Sequence, residues 1–116
     1  ASFEGGIKSR LELESCVDDP GAVLALLDAL GYRPHFRYEK RRTTWRFDDP
    51  ARPLVVLDET PLGLFAEIEG GTDAILALAA ELGVPESDFL HSSYWGLWQS
   101  ARESDPGLPH DMLFPR

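Results

Sequence analysis

The chain has 116 residues and a net charge of −9, with 43% apolar and 27% charged residues. This length and composition predict one small globular domain, and no apolar run is long enough to cross a membrane. The acidic balance argues against nucleic acid or anionic lipid as a partner, so an anion site would need a local concentration of cations. A single cysteine, Cys16, rules out an internal disulfide and favours a cytoplasmic location.

The first third of the chain predicts a strand followed by a helix. Residues 7–17 alternate between apolar and charged side chains, which places Lys8, Arg10 and Glu12 on one charged face. Residues 20–30 begin with a proline after two aspartates, which is typical of a helix start. The apolar residues of this helix are expected to pack in the core: Val23, Leu24, Leu26, Leu27 and Leu30.

The rest of the chain predicts an antiparallel meander and two further helices. Connections rich in Asp, Gly and Pro separate the strands and are short enough for antiparallel pairing. The elements are strands over 36–47, 54–59 and 64–69, followed by helices over 73–82 and 93–101. The fold is therefore expected to be an α+β domain over residues 1–101, with helices outside an antiparallel sheet. Residues 102–116, which contain several prolines, are expected to form an irregular tail.

Pairs of carboxylates in the predicted strands suggest a metal site. Side chains two residues apart in a strand point to the same face, so Glu67 and Glu69 could share a hard divalent cation such as Mg²⁺ or Mn²⁺. Asp58, in the preceding strand, could lie across from them. The same spacing also occurs on ordinary solvated strand faces, and the residue types alone leave both interpretations open.

Pairs of cations in the predicted strands suggest a phosphate site. Lys40 and Arg42 share a strand face and could meet phosphate oxygens, with Lys8 and Arg10 as a second pair. A site that combines such cations with a metal would suit a triphosphate, because both neutralise charge in phosphoryl transfer.

Several short motifs occur in a distinctive order between residues 8 and 98. They are Arg10-Leu-Glu-Leu-Glu14, Leu30-Gly31-Tyr32, Lys40-Arg-Arg42, Leu57-Asp58-Glu59, Leu62-Gly63-Leu-Phe-Ala-Glu67-Ile-Glu69, Ala79-x-x-Leu82-Gly83 and Ser93-Tyr94. Their order and spacing resemble those of the CYTH superfamily, the triphosphate tunnel metalloenzymes that include class IV adenylate cyclases and thiamine triphosphatases.

The resemblance implies half of a tunnel barrel and a role for each charged residue. The triphosphate-binding cations would be Lys8, Arg10, Lys40 and Arg42. Glu67, Glu69 and Asp58 would bind Mg²⁺ or Mn²⁺, and Glu12 would be a further tunnel carboxylate. The implied activity is metal-dependent hydrolysis or cyclisation of a triphosphate.

The family's opening strand, Glu-x-Glu-x-Lys, is not found in this chain. The chain is therefore expected to be a fragment, or a short variant whose sheet is completed in a homo-oligomer. Three functions remain open. They are a triphosphate-processing enzyme, a non-catalytic half-barrel that binds a phosphate ligand or a partner, and an acidic structural domain with solvated charged faces.

Overall fold

A computed structural model describes residues 2–4 and 6–116, with side chains from residue 6 onward. Its elements are strands β1 (Ser2–Glu4) and β2 (Ile7–Ser9), helix α1 (Pro20–Ala29), strands β3 (Arg41–Trp45), β4 (Leu54–Thr60) and β5 (Gly63–Glu69), and helices α2 (Thr72–Glu81) and α3 (Tyr94–Ser104). A short 3-10 turn at Glu86–Asp88 lies between the last two helices. The described chain is α+β with an antiparallel sheet, as predicted.

Strands β3, β4 and β5 form an open antiparallel sheet in that order. Arg42 lies opposite Asp58, Asp58 opposite Phe65, and Val56 opposite Glu67. Because directly opposite residues share a sheet face, the charged residues predicted to lie together do so. The tight turn into β5 uses Gly63, whose φ of 127° is strained for residues with a side chain.

The buried core draws on the sheet, two helices and the tail. Buried apolar side chains are Val56 of β4, Ile75, Leu78 and Ala79 of α2, Trp98 of α3, and Met112. The indole Nε1 of Trp98 donates to the carbonyl oxygens of Pro109 and His110, both at 3.1 Å. Helix α3 is thereby tied to the tail.

The tail has little regular secondary structure, but it is held in a defined position. Met112 forms an isolated parallel bridge with Tyr38, just before β3. Its backbone N–H donates to the carbonyl of Arg37 at 3.0 Å, and its carbonyl accepts from the N–H of Glu39 at 2.9 Å. Since the Met112 side chain is fully buried, the tail contributes to the core.

The strand predicted over residues 7–17 is wrong beyond Ser9. Strand β2 ends there, and its partner is β1 in a separate two-stranded sheet. Residues 10–17 form no strand. Alternation of apolar and charged residues shows which side a strand could bury, but a strand also needs a partner for its backbone hydrogen bonds.

Helix α1 forms where it was predicted, but its expected burial is wrong. Asp19 caps it by accepting from the N–H of Ala22 at 3.0 Å. None of its residues is buried, and Leu24 and Leu30 are 60% and 71% exposed. Periodicity identifies an apolar helix face but not the surface that covers it.

Of the helices described, none has both the length and the hydropathy that crossing a bilayer requires.

Candidate functional site

One face of the sheet, the residue before β3 and the start of α3 bring six polar side chains together, here called the charge cluster. Its members are Lys40, Arg42, Asp58, Glu67, Glu69 and Tyr94. Tyr94 is the first residue of α3, and the preceding Ser93 caps the helix by accepting from the N–H of Gly96 at 3.2 Å. The helix cap therefore fixes where the tyrosine enters the cluster.

Asp58 is the centre of the charge cluster and is fully buried. Arg42 binds it with two hydrogen bonds, Nε to Oδ1 and Nη2 to Oδ2, both at 2.7 Å. Oδ2 also accepts from Tyr94 Oη at 2.7 Å and from Lys40 Nζ at 3.2 Å. The Arg42 hydrogen bonds hold the pKa of Asp58 well below its usual value, against the opposing effect of burial.

Arg42 connects Asp58 to the two glutamates. Its Nη2 donates to Glu67 Oε2 at 3.2 Å, and its Nη1 lies 3.7 Å from Glu69 Oε1. The hydrogen bonds to Asp58, followed by the negative charges of both glutamates, raise the pKa of Arg42 above its usual value despite partial burial. One guanidinium thus faces three carboxylates.

Glu67 is in a less favourable environment than Asp58. Burial is the main cause that raises its pKa, and the positive charge of Arg42 only partly offsets this. Tyr94 Oη lies 3.3 Å from Glu67 Oε1, farther than from Asp58. Burial and the Asp58 contact also raise the pKa of Tyr94, so its hydroxyl stays protonated at neutral pH.

Replacing Glu67 with glutamine is expected to make the fold at least as stable at pH 7, because a raised carboxyl pKa means that ionisation costs folding free energy. That cost is absent below the pKa of an unfolded glutamate, about 4.3. The cost grows as pH rises from there toward the raised pKa of Glu67 in the folded state, and it is complete above that pKa. Urea unfolding of the wild type and the variant between pH 3 and 8 should therefore show a difference in the free energy of unfolding that disappears in acid. Glu59→Gln, on the opposite sheet face, is the control. A destabilising Glu67→Gln effect at pH 7 would contradict this account.

Two aromatic rings lie near the ammonium group of Lys40. Its Nζ lies 5.9 Å from the ring centroid of Tyr38 and 5.4 Å from that of Tyr94. Phe65 packs against Tyr94 with centroids 5.5 Å apart. These contacts hold the Lys40 ammonium beside Asp58 rather than free in solvent.

The structure brings together five of the eight residues predicted for the site. They are Lys40, Arg42, Asp58, Glu67 and Glu69. The other three, Lys8, Arg10 and Glu12, are exposed. Within the described part of the chain, no hydrogen bond or ion pair joins them to the charge cluster.

The sequence pattern predicts no site role for Tyr94, although Ser93-Tyr94 is one of the motifs between residues 8 and 98. The available signal was an aromatic hydroxyl directly after a serine that can cap a helix. That signal places Tyr94 at a helix start but does not reveal the carboxylate it meets.

The carboxylates differ in their fit to a divalent metal. Both oxygens of Asp58 already accept hydrogen bonds, so in this arrangement Asp58 positions Arg42 and Lys40. Glu67 and Glu69 are partly exposed, and Mg²⁺ is commonly bound by one or two carboxylates together with phosphates. No group of three or more His, Cys, Asp or Glu residues arranged to hold a metal occurs among the described residues. Of the three carboxylates, Glu67 and Glu69 are thus the more accessible pair.

Comparison of the chain with protein-family models, curated proteins and solved structures finds no match.

Proposed function

We propose that this chain binds the metal complex of a triphosphate through the charge cluster, as part of a metal-dependent triphosphate-processing protein. The observation that carries the proposal is the position of Arg42, whose guanidinium contacts Asp58, Glu67 and Glu69 together. The cations proposed to bind phosphate and the carboxylates proposed to bind the metal are therefore neighbours in the charge cluster. The resemblance to the CYTH superfamily supports the same chemistry.

Two donors in the cluster have capacity left for phosphate. Arg42 Nη1 has only the 3.7 Å contact with Glu69, and its other two nitrogens are held by Asp58. Lys40 Nζ makes one hydrogen bond, although an ammonium group can donate three. Asp58 pre-orients both cations, which lowers the entropic cost of ordering them around a ligand.

The charge balance of the cluster makes metal dependence a necessary part of the proposal. Lys40 and Arg42 carry two positive charges, whereas Asp58, Glu67 and Glu69 carry three negative charges, which leaves −1. A triphosphate alone would be weakly repelled. Glu67 and Glu69 would hold Mg²⁺ or Mn²⁺, which when bound polarises a phosphoryl oxygen and neutralises its charge.

A second candidate function is binding without catalysis. It is favoured by the positions of Lys8 and Arg10, which the resemblance assigns to the triphosphate but which do not contact the cluster. In the proposal, this chain forms half of a tunnel barrel. Hydrolysis or cyclisation would then need cations from the other half.

Thermal unfolding with tripolyphosphate and Mg²⁺ or Mn²⁺ tests binding. The melting temperature should rise with both components together and not with either alone, since a ligand that binds only the folded state stabilises it by about 2.7 kcal/mol at one hundred times its Kd. The shift should disappear in the Lys40→Ala, Glu67→Ala double variant. It should persist in Arg41→Ala, Glu59→Ala, which removes an ion pair from the opposite face.

Lack of a shift in the wild-type protein, or an equal shift in both double variants, would refute the proposal. Phosphate release measured in the same samples separates the two candidate functions. Metal-dependent release supports processing, whereas binding without release supports the non-catalytic function.

A further inference from the structure

Strand β5 forms one edge of the sheet, and its outer side has no partner strand in the described part of the chain. No hydrogen bond links the backbone of residues 64–69 to any described group outside β4. Leu64 is 68% exposed, and Ala66 is also exposed. A seven-residue edge whose first four residues are uncharged is a ready template for another strand.

We propose that two copies of this chain associate by pairing β5 with β5 in antiparallel orientation, about a two-fold axis at Ala66. In this register Leu64 lies opposite Ile68 of the second copy, and Phe65 lies opposite Glu67. Gly63 lies opposite Glu69, and the two Ala66 residues face each other.

The sequence of β5 is self-complementary in this register. All seven residues of the strand pair with the same seven of the second copy, and no two like charges lie directly opposite each other. The exposed Leu64 gains an apolar neighbour, which stabilises cross-strand pairing. Moving the axis to Glu67 would place two like charges directly opposite each other, which disfavours that alternative.

The other sheet edge is less suited to self-pairing. Strand β3 begins with two consecutive cations, Arg41 and Arg42, and charged residues protect edge strands from association. The Arg41 guanidinium also lies 4.2 Å from the ring centroid of Phe114 in the tail. These features favour β5 as the edge that takes the second copy.

The resulting dimer has one continuous antiparallel sheet of six strands, in the order β3, β4, β5 and then β5, β4, β3 of the second copy. A two-fold axis perpendicular to the sheet leaves both charge clusters on the same face. This inference does not depend on triphosphate binding, because it rests on the edge of β5 alone.

Disulfide trapping tests the register. Directly opposite residues in an antiparallel pair have Cα atoms about 4.5 or 5.5 Å apart, and both separations suit a disulfide. Cys16 is exposed, so it is first replaced by serine. Mild oxidation should then link Ala66→Cys into a covalent dimer, whereas Thr43→Cys on the exposed β3 strand should remain unlinked.

Light scattering without cysteine substitutions provides the second measurement. The wild-type protein should have the mass of a dimer, and Ala66→Lys should reduce it to a monomer with an unchanged circular dichroism spectrum. Thr43→Lys should remain dimeric. A monomeric wild-type protein, a dimer that persists in Ala66→Lys, or equal trapping of both cysteine variants would overturn the proposal.

Discussion

Replacing Asp58 with alanine should lower the free energy of unfolding by about 3 kcal/mol, the low end of the cost of breaking a buried ion pair. The variant leaves Arg42 and Lys40 without the carboxylate that binds both. Their side chains are 33% and 24% exposed, so water compensates only part of the loss. Urea denaturation monitored by circular dichroism measures the difference.

The matched control for Asp58→Ala is Glu59→Ala. Glu59 is the next residue of β4 and pairs with Arg41, but on the exposed face of the sheet. Its replacement should cost less than about 1 kcal/mol, as for other surface ion pairs. Equal unfolding midpoints for the two variants would show that Asp58 is not the anchor of the charge cluster.

Asp58 should also make the free energy of unfolding depend on pH in the acid range. Its pKa is lowered in the folded state, so its contribution is complete above the pKa of an unfolded aspartate, about 3.9. This contribution to stability is lost as pH falls below that value toward the lower pKa of Asp58 in the folded state. The difference in the free energy of unfolding between the wild type and Asp58→Ala should therefore become smaller below about pH 4.

Replacing Met112 with alanine should cost about 2–5 kcal/mol, the range for removing a large buried apolar side chain. Met112 is fully buried, and its backbone holds the tail to Arg37 and Glu39. The substitution keeps those backbone bonds and removes only the side-chain packing. Tryptophan fluorescence, to which the tail-bound Trp98 contributes, should report the unfolding transition.

Leu113→Ala provides the comparison for Met112→Ala. Leu113 is the next residue but is only partly buried, so its truncation should cost less than half as much. If both variants unfold at the same urea concentration, the tail does not contribute to the core through Met112.

The meander was predictable because its signals are local. Alternation and turn residues predicted strands over 54–59 and 64–69, which agrees with Leu54–Thr60 and Gly63–Glu69 to within one residue. The strand predicted over 36–47 was wrong at both ends, because only Arg41–Trp45 pairs with β4. Packing was less predictable. The leucines of α1 have the periodicity of a buried face, but burial depends on a partner surface that no local pattern describes.

The candidate site shows the same division. Period-two spacing correctly placed Glu67 and Glu69 together and put Arg42 on a shared face with them. The spacing could not show that both oxygens of Asp58 already accept hydrogen bonds. That depends on the strand register and on Tyr94, which lies 36 residues later at the start of a helix. The anchoring of the tail by Met112 was unpredictable for the same reason.

The twofold hydrogen bonding between Arg42 and Asp58 also constrains how this sequence can change over evolution. Loss of either partner leaves the other charge unpaired in a partly buried position. The first substitution therefore lowers the free energy of unfolding, and the second restores much of it. Lysine in place of Arg42 would keep the charge but not the two parallel bonds. Positions 42 and 58 should therefore covary among related sequences, whereas the exposed Arg41 and Glu59 beside them can be replaced independently.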